Sequence, residues 1–193
     1  MATLPTKVKD FAVQALQKVL DHRENKDRVV LVGLRGFLPE LGQDKKGNDR
    51  GIYDDAIFLI VRDEGGAITE VYRFKANTDP SVYRTGIATL ITGSWKYKLG
   101  YHGYNRPYSP YRALVQAGKF TVLRDGGVKD TGFFGINIHR GGVRSTSSEG
   151  CQTIPPDAWA EFIRKTEALM KKYNQSEIVY ELMNEKDREV YIK

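Results

Sequence analysis

Residues 56–76 read AIFLIVRDEGGAITEVYRFKA, and this stretch decides the fold. Its first seven residues are rich in β-branched and aromatic side chains, the composition of a well-buried strand. Asp63-Glu64-Gly65-Gly66 interrupts the run with residues that suit a tight turn. From Ile68 to Ala76 apolar and polar residues alternate, the period of a strand with one face on a core. The stretch predicts a β-hairpin whose second strand ends at residues 77–80.

Outward from the hairpin the pattern changes. Residues 28–33 (RVVLVG) predict a short strand, and a turn-rich stretch over 36–51 carries Pro39, Gly42, Gly47 and Asn48. In residues 6–22, Val8, Phe11, Ala12, Ala15, Leu16, Val19 and Leu20 recur at spacings of three and four, which predicts an amphipathic helix. Pro5 suits its start. Downstream, residues 94–100 predict a strand and 102–111 an aromatic loop. Residues 120–124, the Asp125-Gly126-Gly127 turn and residues 133–139 predict a further pair of strands. Helical spacing returns over 155–173 with Trp159, Phe162, Ile163, Leu169 and Met170 on one side, and 178–183 suits a last strand. The expected architecture is α+β, with a mainly antiparallel sheet flanked by N-terminal and C-terminal helices. Residues 1–27 are expected to form an accessory helix and 28–193 a single domain.

The 193-residue chain is 28% charged with short apolar runs, which excludes a membrane-embedded fold. Even residues 11–20 are interrupted by Gln14, Gln17 and Lys18, and they lack the cleavage site of a signal peptide. The 40% hydrophobic content, with 8 Phe, 11 Tyr and 2 Trp, excludes a disordered chain. One cysteine forbids an intrachain disulfide and a cysteine-based zinc cage. Thirty basic against 24 acidic residues give +6, which favours an anionic partner, although the scattered basic residues also serve plain solubility.

The chemistry concentrates in residues 135–154, GINIHRGGVRSTSSEGCQTI. A strand ends on His139, a loop over 140–150 rich in Gly, Ser and Thr follows, and the chain returns to Cys151 behind Gly150. Cysteine attacks as its thiolate, which a nearby imidazole both stabilises and deprotonates. A glycine before the nucleophile lets backbone N–H groups approach a developing oxyanion. A lone cysteine also packs as a small hydrophobe, and such a loop also cradles phosphate; residue types alone leave these open. His102, His139 and Cys151 lack the spacing of a zinc motif, so no metal and no cofactor is expected. His102 suits either the lining of a cleft or the cap of a turn, with the turn favoured, and His22 is read as inert.

Together, strand-borne His139, the Gly/Ser-rich loop and Ser148-Glu149-Gly150-Cys151 resemble the active-site signature of YkuD-type L,D-transpeptidases, cysteine enzymes of bacterial peptidoglycan with a β-rich fold. Residues 56–78, ending Phe74-Lys75-Ala76-Asn77-Thr78, resemble the family's opening hairpin, and Thr92-Gly93-Ser94-Trp95-Lys96-Tyr97 resembles its strand entry. The likeness spans residues 56–155 and makes 28–193 an L,D-transpeptidase-like catalytic domain. It implies that Cys151 is the acylated nucleophile and His139 its base, oriented by a backbone carbonyl. It implies that Gly150 helps form the oxyanion hole and that Ser148 holds the loop. On the substrate side the expectation falls on Ser148, Glu149 and Arg144.

Two positions depart from the family: Glu149 stands where it has histidine, and Thr153 where it has arginine. Arg140, Arg144 and Arg112 are candidates for the missing cation, and Glu149 is expected to bond the donors of its own loop. The Glu-Gly-Cys ending resembles variants among phage-associated proteins, a resemblance that implies a phage lysis protein or secreted effector. The implied partners are peptidoglycan stem peptides, attacked at L,D bonds through a thioester, with transfer or hydrolysis as the outcome. The expected setting is synthesis in the cytoplasm without a signal peptide and release to the cell wall through a phage or secretion route. Papain-like and NlpC/P60 enzymes place Cys before His, the reverse of the order here. The alternative is a non-enzymatic basic module binding nucleic acid or glycan through its charge and the aromatics of 101–111, although no RNP, KH or helix-turn-helix signature supports nucleic acid.

Overall fold

A computed structural model describes residues 9–37, 50–104, 110–184 and 187. Helix α1 spans Lys9–His22, followed by β1 (Val29–Leu34), β2 (Asp55–Arg62) and β3 (Ile68–Ala76). Then come β4 (Ala88–Leu90), β5 (Gly93–His102), β6 (Tyr111–Gln116), β7 (Phe120–Arg124) and β8 (Lys129–Gly132). Strands β9 (Ile138–Arg140) and β10 (Gln152–Ile154) flank the glycine-rich loop, and α2 (Pro156–Lys172) and β11 (Glu177–Met183) follow.

Eight strands form one curled sheet in the order β10-β9-β6-β5-β11-β1-β2-β3, and β4-β7-β8 make a small second sheet. The large sheet is mostly antiparallel; β1 with β11 and β9 with β10 are its parallel pairs. Just past β3, Asn77 bridges Thr153 of β10 through two backbone hydrogen bonds of 2.8 Å, which brings the two ends of the strand order together.

The decisive hairpin forms where its sequence places it, with Ile60 opposite Val71 and Phe58 opposite Arg73. All eight residues of β2 are buried, because both faces are covered. Ala56, Phe58 and Ile60 pack with Leu16, Val19 and Leu20 of α1, while Ile57 and Leu59 join the main core that includes Trp159 and Phe162 of α2. Burial on both faces is why this segment reads as a continuous apolar run instead of alternating. Each large α1 side chain so buried contributes about 1.5–3 kcal/mol. Gln17 fastens the helix to the hairpin turn, accepting from the Ile68 N–H at 2.9 Å and donating to the Gly66 carbonyl at 3.1 Å. Pro156 and Asp157 begin α2 and Lys171 and Lys172 end it, an order that suits the helix dipole.

Several expectations are corrected. Strand β7 pairs with β8 across the Asp125-Gly126-Gly127 turn, not with residues 133–139. Gly135, at φ +70°, belongs to an irregular segment, and the strand carrying His139 is confined to Ile138–Arg140 in the other sheet. Strand β5 runs on to His102, so this histidine ends a strand instead of capping a turn. The expected helical residues 6–8, most of the turn-rich stretch 36–51 and the tip of the aromatic loop lie outside the described residues. Among the described residues no helix is long and apolar enough to cross a membrane.

Candidate active site

Parallel pairing of β9 with β10 sets Thr153 beside His139 and Gln152 beside Ile138. The register carries Cys151 alongside Asn137, whose backbone N–H donates to the sulfur at 3.4 Å. The thiol in turn donates to the Gly135 carbonyl at 3.4 Å. His139 is buried, and its Nδ1 lies 2.8 Å from the carbonyl of Arg140. A carbonyl only accepts, so Nδ1 carries the proton and Nε2 is the basic nitrogen of the neutral ring. The Tyr111 hydroxyl donates to the same carbonyl at 3.2 Å.

The loop between the two strands is held by hydroxyls and small residues. Ser148 Oγ donates to the Cys151 carbonyl at 2.6 Å and accepts the Gly150 N–H at 3.0 Å. Ser81 clasps Ser148 from outside: its N–H donates to the Ser148 carbonyl and its hydroxyl accepts the Ser148 N–H, both at 2.7 Å. Tyr53 donates to the Gly142 carbonyl at 2.8 Å, and burial pushes its hydroxyl up to about 12, so it stays a donor. Only glycine fits at 150: φ is +144°, and a Cβ there would stand 2.6 Å from the Ala88 carbonyl oxygen. Below the site, Tyr180 donates to Gln152 at 3.2 Å. Burial raises the Tyr97 hydroxyl far above its ordinary value, and Tyr180 and Cys151 push the same way.

Cys151, His139, His102, Glu149 and Gly150 line a cleft of about 430 Å³, together with Arg84, Phe134 and neighbouring segments. Its mouth holds an exposed ion pair, Arg84 Nη2 to Glu149 Oε1 at 2.6 Å. Arg124, also on the cleft, lies over the Phe134 ring and pairs with Asp130 at 2.9 Å.

The structure thus gathers Cys151, His139, Ser148, Glu149 and Gly150, and it revises what some of them do. The N–H of Gly150, the residue expected to help form the oxyanion hole, donates to Ser148 Oγ. Ser148 is buried, bonded within the loop, and is not among the residues lining the cleft. Glu149 bonds Arg84 instead of its own loop donors. Arg144 is exposed and does not line the cleft, and Arg112 is paired with Glu167 of α2. Arg84 is the residue that sequence reasoning missed, since no motif surrounds it; His102, for which the turn was favoured over the cleft, lines the cleft. Among the described residues no group of three or more His, Cys, Asp or Glu is placed to hold a metal ion.

Comparison with known proteins finds no family model, no curated relative and no solved structure that matches this chain.

Proposed function

We propose that the protein is a cysteine acyl-transfer enzyme of the YkuD L,D-transpeptidase type, acting on L,D peptide bonds of peptidoglycan stem peptides. The observation that carries the reading is a thiol and an imidazole on one cleft, with the imidazole fixed by the Arg140 carbonyl as the tautomer whose Nε2 is basic. Orientation by a carbonyl instead of a carboxylate also accords with the resemblance read from the motif.

In this reaction Cys151 passes its proton to His139 Nε2 and the sulfur attacks the scissile carbonyl carbon. The Asn137 N–H, already on the sulfur at 3.4 Å, favours the thiolate. The tetrahedral intermediate collapses, the C–N bond breaks, and the departing amine takes the proton from His139. Water or an acceptor amine then attacks the thioester, His139 takes its proton, and the thiol is restored. Water gives carboxypeptidase or endopeptidase products; an amine gives a new cross-link. Release into the cell wall by a phage or secretion route belongs to the same proposal.

The test is incubation with defined muropeptides, with products read by mass. Wild type is expected to shorten or join stem peptides at L,D bonds, and Cys151→Ala to lose all turnover while melting within a few degrees of wild type. Muropeptides left intact by wild type, or turnover in Cys151→Ala, would defeat the proposal.

A further inference from the structure

Resting on the thiol–imidazole reading of Cys151 and His139, we propose that His102 is a positioning residue: a neutral ring, locked in one tautomer by Asn137, on whose face the His139 imidazolium rests. The two rings are stacked, 4.0 Å between centroids and 9° from parallel. His102 reaches the stack from the end of β5, His139 from β9.

Asn137 sets the protonation of His102. Its Oδ1 accepts the Gln116 N–H at 3.2 Å, which fixes the orientation of the amide and leaves Nδ2 as the group 3.1 Å from His102 Nδ1. An amide nitrogen only donates, so Nδ1 of His102 accepts and the proton of the neutral ring sits on Nε2. A second proton would have to displace the amide from Nδ1. It would also set two imidazolium faces against each other whenever His139 is charged. A neutral aromatic face, by contrast, attracts a cation. The stack therefore favours the state in which His139 holds the proton of Cys151, and it fixes the plane of the base.

The other titratable and charged groups around the stack leave this balance in place. Tyr111 from β6 meets His102 edge-on at 5.7 Å between centroids and lies 3.2 Å from His139 Nδ1. Arg140 lies over the Tyr111 ring. Cys151 and Glu149 face the cleft from the loop end; Arg84 is paired with Glu149 and Arg124 with Asp130, so each cation on the cleft already faces a carboxylate.

The experiment is the pH profile of iodoacetamide alkylation of Cys151 in the full chain, read by mass, with melting temperatures recorded for each variant. His139→Ala is expected to move the profile up toward the free-cysteine value of about 8.5. His102→Ala is expected to react about tenfold more slowly than wild type at neutral pH, with its profile moved toward higher pH. His102→Phe keeps a ring face and should recover most of that loss. Asn137→Asp offers Nδ1 a carboxylate, which charges His102; its profile should move at least as far as that of His102→Ala. Adding His102→Phe to Asn137→Asp should reverse most of that movement. A wild-type profile in His102→Ala overturns the proposal, as does His102→Phe reacting as slowly as His102→Ala. Where His102→Ala fails to fold, an unmoved profile in Asn137→Asp overturns it equally. Coincident profiles of wild type and His139→Ala would defeat the underlying thiol–imidazole reading, and this proposal with it.

Discussion

β2 places eight consecutive buried residues between α1 on one face and the α2 side of the core on the other. β10, in the same sheet, is three residues long and is held by polar contacts from Asn77, Asn137, Gly141 and Tyr180. Apolar packing is non-directional, so the first region loses stability in proportion to the volume removed and keeps its shape. Hydrogen bonds are directional, and a buried group left unpaired costs its full desolvation. The second region should therefore lose geometry, and with it chemistry, before it loses much stability. The division is physical: a seam of carbon anchors the sheet, and a lattice of hydroxyls and amides holds the loop that carries Cys151.

The largest effect that would break this contrast is at Phe58, which is fully buried and packs edge-on against Phe37 at 5.4 Å. Phe58→Ala should cost about 3–5 kcal/mol of unfolding free energy, measured by denaturant titration. Alkylation of Cys151 in the folded fraction should keep the wild-type rate; a slower rate would show that the two regions are coupled. Next comes Ser148→Ala, which strips partners from the Gly150 N–H and the Cys151 carbonyl. It should cost about 1–3 kcal/mol in stability. On the proposed function turnover should fall by about 10²-fold, because Cys151 moves relative to His139. Loss of stability with turnover intact would overturn the assignment of aim to the polar lattice.

The smallest effect sharpens the contrast at the surface. Asp125 bonds Arg50 through both carboxylate oxygens at 2.7 Å, which holds its carboxyl below the ordinary 3.8. A lowered carboxyl stabilises the fold above its unfolded value and loses that contribution as pH falls through the folded one. Asp125→Asn should therefore lower the melting temperature slightly at neutral pH, by no more than about 1 kcal/mol equivalent. The difference from wild type should shrink as pH drops below 3.8. A gap that persists in acid would mean that the pair acts through packing, as the cation stacked 3.9 Å over Tyr83 would allow.

The same contrast explains how much of the molecule was legible in its sequence. The β2–β3 hairpin was plain because long apolar runs and a Gly-Gly turn carry local signals strong enough to specify both strands; the register shift at Val61/Arg62 was not among them. Helix α2 was equally plain from its apolar side. β4, β9 and β10 were not, since three residues are too few to show a period, and their existence depends on distant partners. Residues 133–139 misled because side-chain alternation says nothing about Gly135 turning the backbone to φ +70°. At the site, Cys151 and His139 were legible because one short loop joins them. Asn137 and Arg84 were not, and His102 was offered for the cleft but read as a turn cap, because all three meet the site only through the β5–β6–β9 pairing and the return of the chain past β3.

β11 lies between β5 and β1, antiparallel to the one and parallel to the other. Synthesis runs from the N-terminus, so β1 with its hairpin leaves the ribosome well before residues 177–183, and β5 likewise waits with an unfilled edge. Until β11 arrives, two half-sheets coexist, one bearing α1 and the other bearing the thiol strand, each with open backbone groups able to pair with the wrong chain. Within the sheet β11 is the strand that joins them, and at the far ends the Asn77–Thr153 bridge ties the close of β3 to β10. The two edges that β11 fills are therefore where an unfinished chain most needs shielding from its neighbours.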